Sequence, residues 1–197
     1  MYKNLIIFLI FLNLTSYVLA KEIRSRFGFY YNIPDSLAAV QDLNLDDLLE
    51  AYEGTEIDKN ALNDLMAGIS KTNMNVEYFF PKNLDPTYNS INLNIQEGDI
   101  NDINSIGLKN LCPLYQQEYS KLFKKKIKQY ECKFTNEFSP KFSPVIYLIH
   151  DGLNNYLIQY QFQVRPGFAT LTVGCDTNQN CNTMNEYAKN IILSIRN

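Results

Sequence analysis

The sequence predicts an α+β fold in which an antiparallel β-sheet is packed by a middle helix and a C-terminal helix. The first observation is that residues 156–164 alternate between apolar side chains and Gln159, Gln161 and Gln163, as a strand with two different faces does. The second is an apolar stripe at helical spacing over residues 111–126, and the third is a similar stripe over residues 184–195. Together they predict strands and helices that share one core.

Six further segments are apolar or aromatic, are bounded by turn residues and predict the other strands. They are Ile23–Asn32, Val76–Phe80, Ser90–Ile95, Ile127–Phe134, Val145–Ile149 and Phe168–Cys175. Residues 98–107 are polar and predict a turn-rich connection. Pro113 suits the first turn of the middle helix, and Thr183 with Glu186 predicts a capping box at the start of the last helix.

Residues 36–73 have a different character and predict an acidic helical insertion that covers an edge of the sheet. Asn44 can cap a first short helix, in which Asp46 and Asp47 occupy the first turn, and a second helix is expected after Asp58. We therefore expect residues 21–197 to form a single domain with this insertion.

The first twenty residues predict a signal peptide. Lys3 precedes an apolar run over residues 5–12, and the small residues Val18 and Ala20 precede a cleavage site before Lys21. A retained membrane anchor is the alternative, but Asn13, Thr15 and Ser16 interrupt the run well short of the roughly 20 apolar residues that span a bilayer. We therefore expect an exported protein, either periplasmic or extracellular.

The four cysteines, all after the predicted cleavage site, indicate disulfides in an exported chain. Their spacing lacks a Cys-x-x-Cys pair, which disfavours a zinc site. Three connectivities are possible, and geometry selects one. A strand after the middle helix returns Cys132 to the level of Cys112. Cys175 and Cys181 bracket a short loop, so we predict Cys112–Cys132 and Cys175–Cys181.

The order of elements resembles that of the PsbP-like α/β/α sandwiches. The resemblance covers residues 74–197 and rests on the Phe79-Phe80-Pro81 element, the strand and long helix that follow, the antiparallel meander, and a last helix ending in Ser194-Ile195. It implies a non-catalytic accessory or binding protein and transfers no functional residue.

The chemistry-bearing residues predict no catalytic, cofactor or metal site. His150, the only histidine, lies beside Asp151, and a small hydrolase with an unrecognised site there is the alternative function; no nucleophile motif accompanies it. Asp176, Asn178 and Asn180 begin like a calcium loop, but Cys181 and Tyr187 occupy the positions that require Gly and Glu. The lysines between residues 121 and 128 suit either a helix C-terminus or an anionic partner.

We therefore predict a protein that works by binding an unknown protein or small ligand. Removal of residues 1–20 takes away Lys3 and no acidic residue, so the net charge falls from −3 to −4, which argues against nucleic acid as the partner. The candidate partner surface combines the acidic insertion with the polar face of the glutamine strand; its residues are Asp46, Asp47, Gln159, Gln161 and Gln163.

Overall fold

The structure, a computed structural model, describes residues 20–40, 50, 52, 60, 63, 64, 67, 76–138, 142, 145–165 and 167–196. We number its elements in chain order. The strands are β1 (Ala20–Arg24), β2 (Tyr30–Pro34), β3 (Leu37–Val40), β4 (Val76–Pro81), β5 (Ser90–Gln96), β6 (Gln129–Thr135), β7 (Val145–Asp151), β8 (Tyr156–Gln163) and β9 (Phe168–Cys175). The helices are α1 (Ile100–Ile106), α2 (Leu108–Leu122) and α3 (Asn178–Ser194).

Seven strands form one antiparallel sheet in the order β3-β4-β5-β9-β8-β7-β6, and β1 pairs with β2 in a separate hairpin. The final meander places β7, β8 and β9 next to one another, with β9 in the middle of the sheet. β5 pairs with β9 along its whole length. This confirms the predicted α+β class with its large antiparallel sheet.

The sheet separates two cores. On one face, apolar side chains of the central strands pack against the hairpin and α3, whose buried residues are Cys181, Met184, Ala188, Ile191 and Ile192. On the other face, Ile100 of α1 and Leu111 of α2 pack against Ile146, Leu148 and Phe168 of the sheet. The molecule is therefore a three-layer sandwich, because each helical layer buries its apolar stripe on a different side of the sheet.

Both predicted disulfides are confirmed. Cys112 in α2 is bonded to Cys132 in β6, and Cys175 at the end of β9 is bonded to Cys181 in the first turns of α3. Each bridge therefore fastens a helix to the sheet that it covers, one on each face.

Several predicted boundaries were wrong. The first aromatic segment is two strands, because Gly28 adopts a φ of 92° and turns the chain back between them. The predicted polar connection contains α1, which begins where the Asp99 carboxylate accepts a hydrogen bond from the Asn101 N–H (2.8 Å). Gly107, with a φ of 74°, then separates α1 from α2.

The two longer helices also begin earlier than predicted. α2 begins at Leu108, so Pro113 lies inside it, and it ends at Leu122. α3 begins at Asn178 because Thr177 supplies the cap, accepting from the Asn180 N–H at 3.2 Å. The predicted capping box is wrong, since the Thr183 hydroxyl instead donates to the Gln179 carbonyl within the helix.

The predicted insertion begins with a strand, not a helix. β3 pairs with β4 and forms one edge of the sheet. Its backbone N–H and C=O groups therefore form hydrogen bonds with a neighbouring strand and not within a helix. Most residues of the two predicted insertion helices, including Asp46 and Asp47, lie outside the described residues. Tyr52, which is described and buried, donates its hydroxyl to the Pro81 carbonyl of β4 (2.6 Å). This contact places at least one insertion residue on the sheet.

Candidate functional site

Polar side chains line the middle of the sheet on the face that α1 and α2 cover. The strand register places Asn92, Thr172 and Gln159 in one row across β5, β9 and β8. The adjacent row contains Asn94, Thr170 and Gln161. Alternation along each strand puts these six side chains on one face, opposite the core beneath α3. We call these residues the polar rows.

Two tyrosines of α2 close the polar rows from above. Tyr119 donates its hydroxyl to the Gln159 Oε1 at 2.5 Å, and Tyr115 donates to the Gln161 Oε1. The Gln159 amide donates in turn to the Thr172 hydroxyl at 3.1 Å. Gln159 and Gln161 are each only 5% exposed. Amide groups that would be costly to bury alone are therefore paired.

Gln163 has a similar internal role. Its Oε1 accepts the Ile100 N–H at the start of α1 (2.9 Å), and its amide donates to the Gly167 carbonyl (2.9 Å). Of the three glutamines predicted to form a partner surface, Gln159 and Gln161 are buried beneath α2, whereas Gln163 is half-buried. The glutamine face is polar where it receives the tyrosines and the helix end.

His150 of β7 also lies between the sheet and α2, where it is shielded from solvent. Its side chain is 1% exposed, and the ring of Tyr119 stacks on it with centroids 4.1 Å apart. Its Nδ1 lies 2.8 Å from the Asp151 carbonyl, which fixes Nδ1 as the protonated nitrogen. Burial lowers the pKa of His150 below its usual 6.5, against the smaller opposing effects of the hydrogen bond to the Asp151 carbonyl and of the Asp151 charge.

The described residues around His150 do not assemble a hydrolase site. The Asp151 carboxylate, which could orient an imidazole, instead accepts from the Tyr130 hydroxyl (2.8 Å) and the Lys128 N–H (3.2 Å). Within the described part of the chain, no side chain is hydrogen-bonded to the His150 Nε2. A general base needs a nucleophile within reach, and none of the described side chains offers one to this imidazole.

Glu77 is a buried carboxylate that sequence analysis missed. It is fully buried on the α3 side of the sheet, where it accepts from the Arg26 N–H (2.7 Å), the Tyr31 hydroxyl (3.0 Å) and the Ser25 hydroxyl (3.1 Å). Burial raises its pKa, although these hydrogen bonds and the Arg26 charge oppose the shift. The sequence does indicate that Glu77 is buried, because it lies two residues before Phe79 in a strand and so shares the face of that apolar side chain. Its contacts fasten the β1-β2 turn to β4.

A small open cleft lies between α3 and the strands β6, β7 and β8. It has a volume of about 80 Å³, and its lining residues are Glu131, Lys133, Thr135, Glu137, Tyr147, Tyr160 and Lys189. We call it the β6–α3 cleft. Tyr147 and Tyr160 form the floor, with ring centroids 5.0 Å apart. Burial, followed by the charges of Glu131 and Glu137, raises the pKa of Tyr147 to about 12, so its hydroxyl stays protonated.

The walls of the cleft carry both signs of charge. Lys133 Nζ lies 3.3 Å from the Glu131 carboxylate, and Lys189 Nζ lies 3.7 Å from that of Glu137. These side chains are 30–61% exposed. Exposed ion pairs contribute only about 0–1 kcal/mol to stability, so their charge remains available to a partner.

The predicted calcium-like loop lies elsewhere. Asn178 and Asn180 belong to the first turn of α3, and the Asn180 amide donates to the Asp176 carboxylate at 2.8 Å. Among the described residues, no group of three or more histidine, cysteine or acidic side chains is arranged to hold a metal ion. The described helices also include none with the length and apolarity needed to cross a membrane.

Comparison with solved structures finds a protein of similar architecture, the cyanobacterial PsbP (CyanoP) from Synechocystis sp. PCC 6803, solved in solution. The similarity covers 92% of this chain and 94% of that one, with a TM-score of 0.48 and 9% sequence identity. The structural neighbour is thus a PsbP, as the order of elements suggested. No family model and no curated protein matches the chain. No residue role or activity passes from the neighbour to this chain.

Proposed function

We propose that this is an exported, disulfide-stabilised protein that works by binding a partner at its surface and not by catalysis. The observation that carries the proposal is a contrast between two sites. The sole histidine is 1% exposed beneath Tyr119, whereas the β6–α3 cleft offers charged side chains to solvent. Groups that recognise a partner are accessible, and the group best suited to acid–base chemistry is not.

The export part of the proposal is supported by the predicted signal peptide and by the two disulfides, since such bonds persist in oxidising compartments. The N-terminal hairpin agrees with cleavage before Lys21. Lys21 pairs with Ile33, and the next residues of β1 continue that pairing. Cleavage there leaves four of the five register pairs of the hairpin in the mature protein.

The cleft chemistry favours a partner with both positive and negative groups, such as a peptide or another zwitterionic ligand. Lys133 and Lys189 can meet carboxylates, while Glu131 and Glu137 can meet ammonium groups. The Lys133 Nζ lies over the Tyr147 ring, 5.1 Å from its centre, so a ligand carboxylate that draws this lysine away would uncover an apolar floor. Asp46 and Asp47 of the insertion remain a second proposed contact.

Affinity capture from the exported fraction of the native host tests the proposal. The immobilised protein begins at Lys21, and bound molecules are quantified by mass spectrometry. We expect Lys133→Glu combined with Lys189→Glu to lose the molecules that the wild type retains. Lys109→Glu, an exposed charge reversal on α2, is the matched control and should retain them. Asp46→Lys with Asp47→Lys tests the insertion separately.

The hydrolase alternative is tested with His150→Phe, which keeps an aromatic ring against Tyr119 but cannot transfer a proton. We expect this variant to capture the same molecules as the wild type and to support the same biological activity. Loss of activity in a folded His150→Phe protein would favour the hydrolase. Unchanged capture by the double lysine variant would exclude the cleft as the binding site.

A further inference from the structure

One end of the molecule concentrates lysines. Residues 119–130 contain five of them and no acidic residue, in a chain whose net charge is −3. They lie at the end of α2, in the connection to β6 and beside the start of β6; they are Lys121, Lys124, Lys125, Lys126 and Lys128, and all are exposed. We call this region the lysine end.

Asp151 lies at the lysine end, where its carboxylate accepts from the Lys128 N–H (3.2 Å) and the Tyr130 hydroxyl (2.8 Å) and not from a lysine Nζ. Lys121 pairs with Glu118, at 2.7 Å. Lys125 Nζ donates to the Leu153 carbonyl at 2.9 Å, and Lys128 Nζ lies 4.5 Å from the centre of the Tyr130 ring. Among the described residues, none of the lysines from 124 to 128 is within ion-pair distance of a carboxylate. The charges of Lys124 and Lys126 therefore face solvent, while those of Lys125 and Lys128 lie against a carbonyl and a ring without being neutralised.

Exposed apolar side chains stand among these lysines. Leu122 at the end of α2 is 67% exposed, and Leu153 in the β7–β8 hairpin is 60% exposed. The Lys125–Leu153 hydrogen bond joins the segment after α2 to the β7–β8 hairpin. Tyr130 is exposed at the start of β6. Exposed leucines among lysines, with a tyrosine beside them, are typical of surfaces that bind at a membrane interface.

Lys124 adopts a backbone conformation that suits glycine better. Its φ is 52°, and it is the one residue other than glycine with a positive φ in the described part of the chain. It ends α2 in a Schellman motif, since the Lys125 N–H donates to the Ser120 carbonyl (3.1 Å) and the Lys124 N–H to the Lys121 carbonyl (3.2 Å). A lysine here is less stable than glycine, which points to a use for its charge.

The favourable interaction of lysine with a helix C-terminus accounts for only part of this arrangement. That effect fades within the last turn of the helix. Lys126 and Lys128 lie beyond α2, and Leu153 belongs to a different element. A structural role for the charge also gives no reason for two leucine side chains to be exposed at the same end.

We propose that the lysine end docks the protein, peripherally and reversibly, on an anionic lipid surface. The lysines attract the negative headgroups, and Leu122 and Leu153 enter the interface between them. An acidic protein would match the charge but would also need an apolar pocket opposite each leucine, whereas a lipid interface receives both side chains without such a fit. This inference goes beyond the proposed function and does not depend on the β6–α3 cleft.

Flotation with lipid vesicles tests the inference on the protein that begins at Lys21. We expect it to float with vesicles of phosphatidylcholine containing phosphatidylglycerol and to stay behind with phosphatidylcholine alone. Added salt should weaken binding because it screens the headgroup charge. Each of Lys125→Gln and Lys126→Gln should weaken binding about fivefold, whereas Lys109→Gln at the other end of α2 should leave it unchanged.

Two further variants separate docking from loss of fold. Lys124→Gly should raise thermal stability and yet weaken vesicle binding, a pair of effects that damage to the fold cannot produce. Leu153→Gln should weaken binding several-fold, whereas Leu193→Gln, an equally exposed site on α3, should not. The inference is overturned if binding does not require phosphatidylglycerol, or if Lys124→Gly binds as the wild type does. It is also overturned if soluble polyglutamate competes fully and Leu153→Gln has no effect, which would indicate an acidic protein partner.

Discussion

The phenol ring of Tyr119 lies on the imidazole of His150, with centroids 4.1 Å apart and ring planes 23° apart, while its hydroxyl donates to Gln159. A single side chain of α2 thus closes two features that sequence analysis treated as separate functional candidates. Its ring covers the histidine, and its hydroxyl donates the hydrogen bond that the buried Gln159 side chain needs. Both features therefore belong to the interior between α2 and the sheet.

Replacement of Tyr119 by Phe tests this closure. The variant keeps the ring on His150 but leaves the buried Gln159 Oε1 without its donor, which should lower the free energy of unfolding by about 1–3 kcal/mol. Urea unfolding measures the change. Tyr88→Phe, at an exposed tyrosine, is the control and should change stability by less than about 0.5 kcal/mol. Equal effects of the two substitutions would contradict the buried hydrogen bond.

Glu77 predicts a specific dependence of stability on pH. Because burial raises the pKa of Glu77 above its ordinary 4.5, the folded state holds this proton more tightly than the unfolded state does. The free energy of unfolding therefore loses this contribution as the pH rises through the interval between the two pKa values. Glu77→Gln removes the titration, so its stability relative to the wild type should increase from acidic to neutral pH. A stability of Glu77→Gln relative to the wild type that stays constant or falls as the pH rises would contradict the raised pKa.

The disulfide between Cys112 and Cys132 should hold α2 over His150. Its removal by Cys112→Ala with Cys132→Ala should cost about 3 kcal/mol in the chain-entropy model, because the closed loop spans about 20 residues. The loosened helix should also admit water, so that the pKa of His150 moves up toward 6.5. Nuclear magnetic resonance of the ring measures that pKa.

The second disulfide provides the control for this experiment. Cys175→Ala with Cys181→Ala loosens α3, which covers the opposite face of the sheet. The pKa of His150 should then stay where it is in the wild type, provided that the variant folds. A similar shift in both variants would show that general loosening, and not the position of α2, controls the histidine.

The sequence predicts the fold class and both disulfides because those depend on local periodicity and on chain geometry. The apolar stripe of α3 and the alternation of β8 each require one buried face, whatever the rest of the chain does. The helix starts were missed for a different reason. Thr177 and Thr183 are both acceptable caps for α3, and sequence alone does not choose between them. At α1, the cap Asp99 is joined by a non-local contact, the hydrogen bond from the Ile100 N–H to Gln163.

The polar face of β8 could not be interpreted correctly from its own strand. Alternation shows that Gln159 and Gln161 lie opposite the apolar core, but it does not show what covers them. The answer comes from α2, where Tyr115 and Tyr119 are four residues apart and so share one helix face. The β6–α3 cleft is equally non-local, because Lys189 reaches β6 only through the packing of α3.

The central claim is that this protein acts through its surface while its only histidine is a sealed structural residue. The most direct test is a titration of the His150 ring by nuclear magnetic resonance in the protein that begins at Lys21. We predict a neutral ring with the proton on Nδ1 and a pKa below 6.5, because burial beneath Tyr119 disfavours the charged form. A pKa at or above 6.5, with a ring proton in rapid exchange with water, would show an accessible imidazole and contradict the claim.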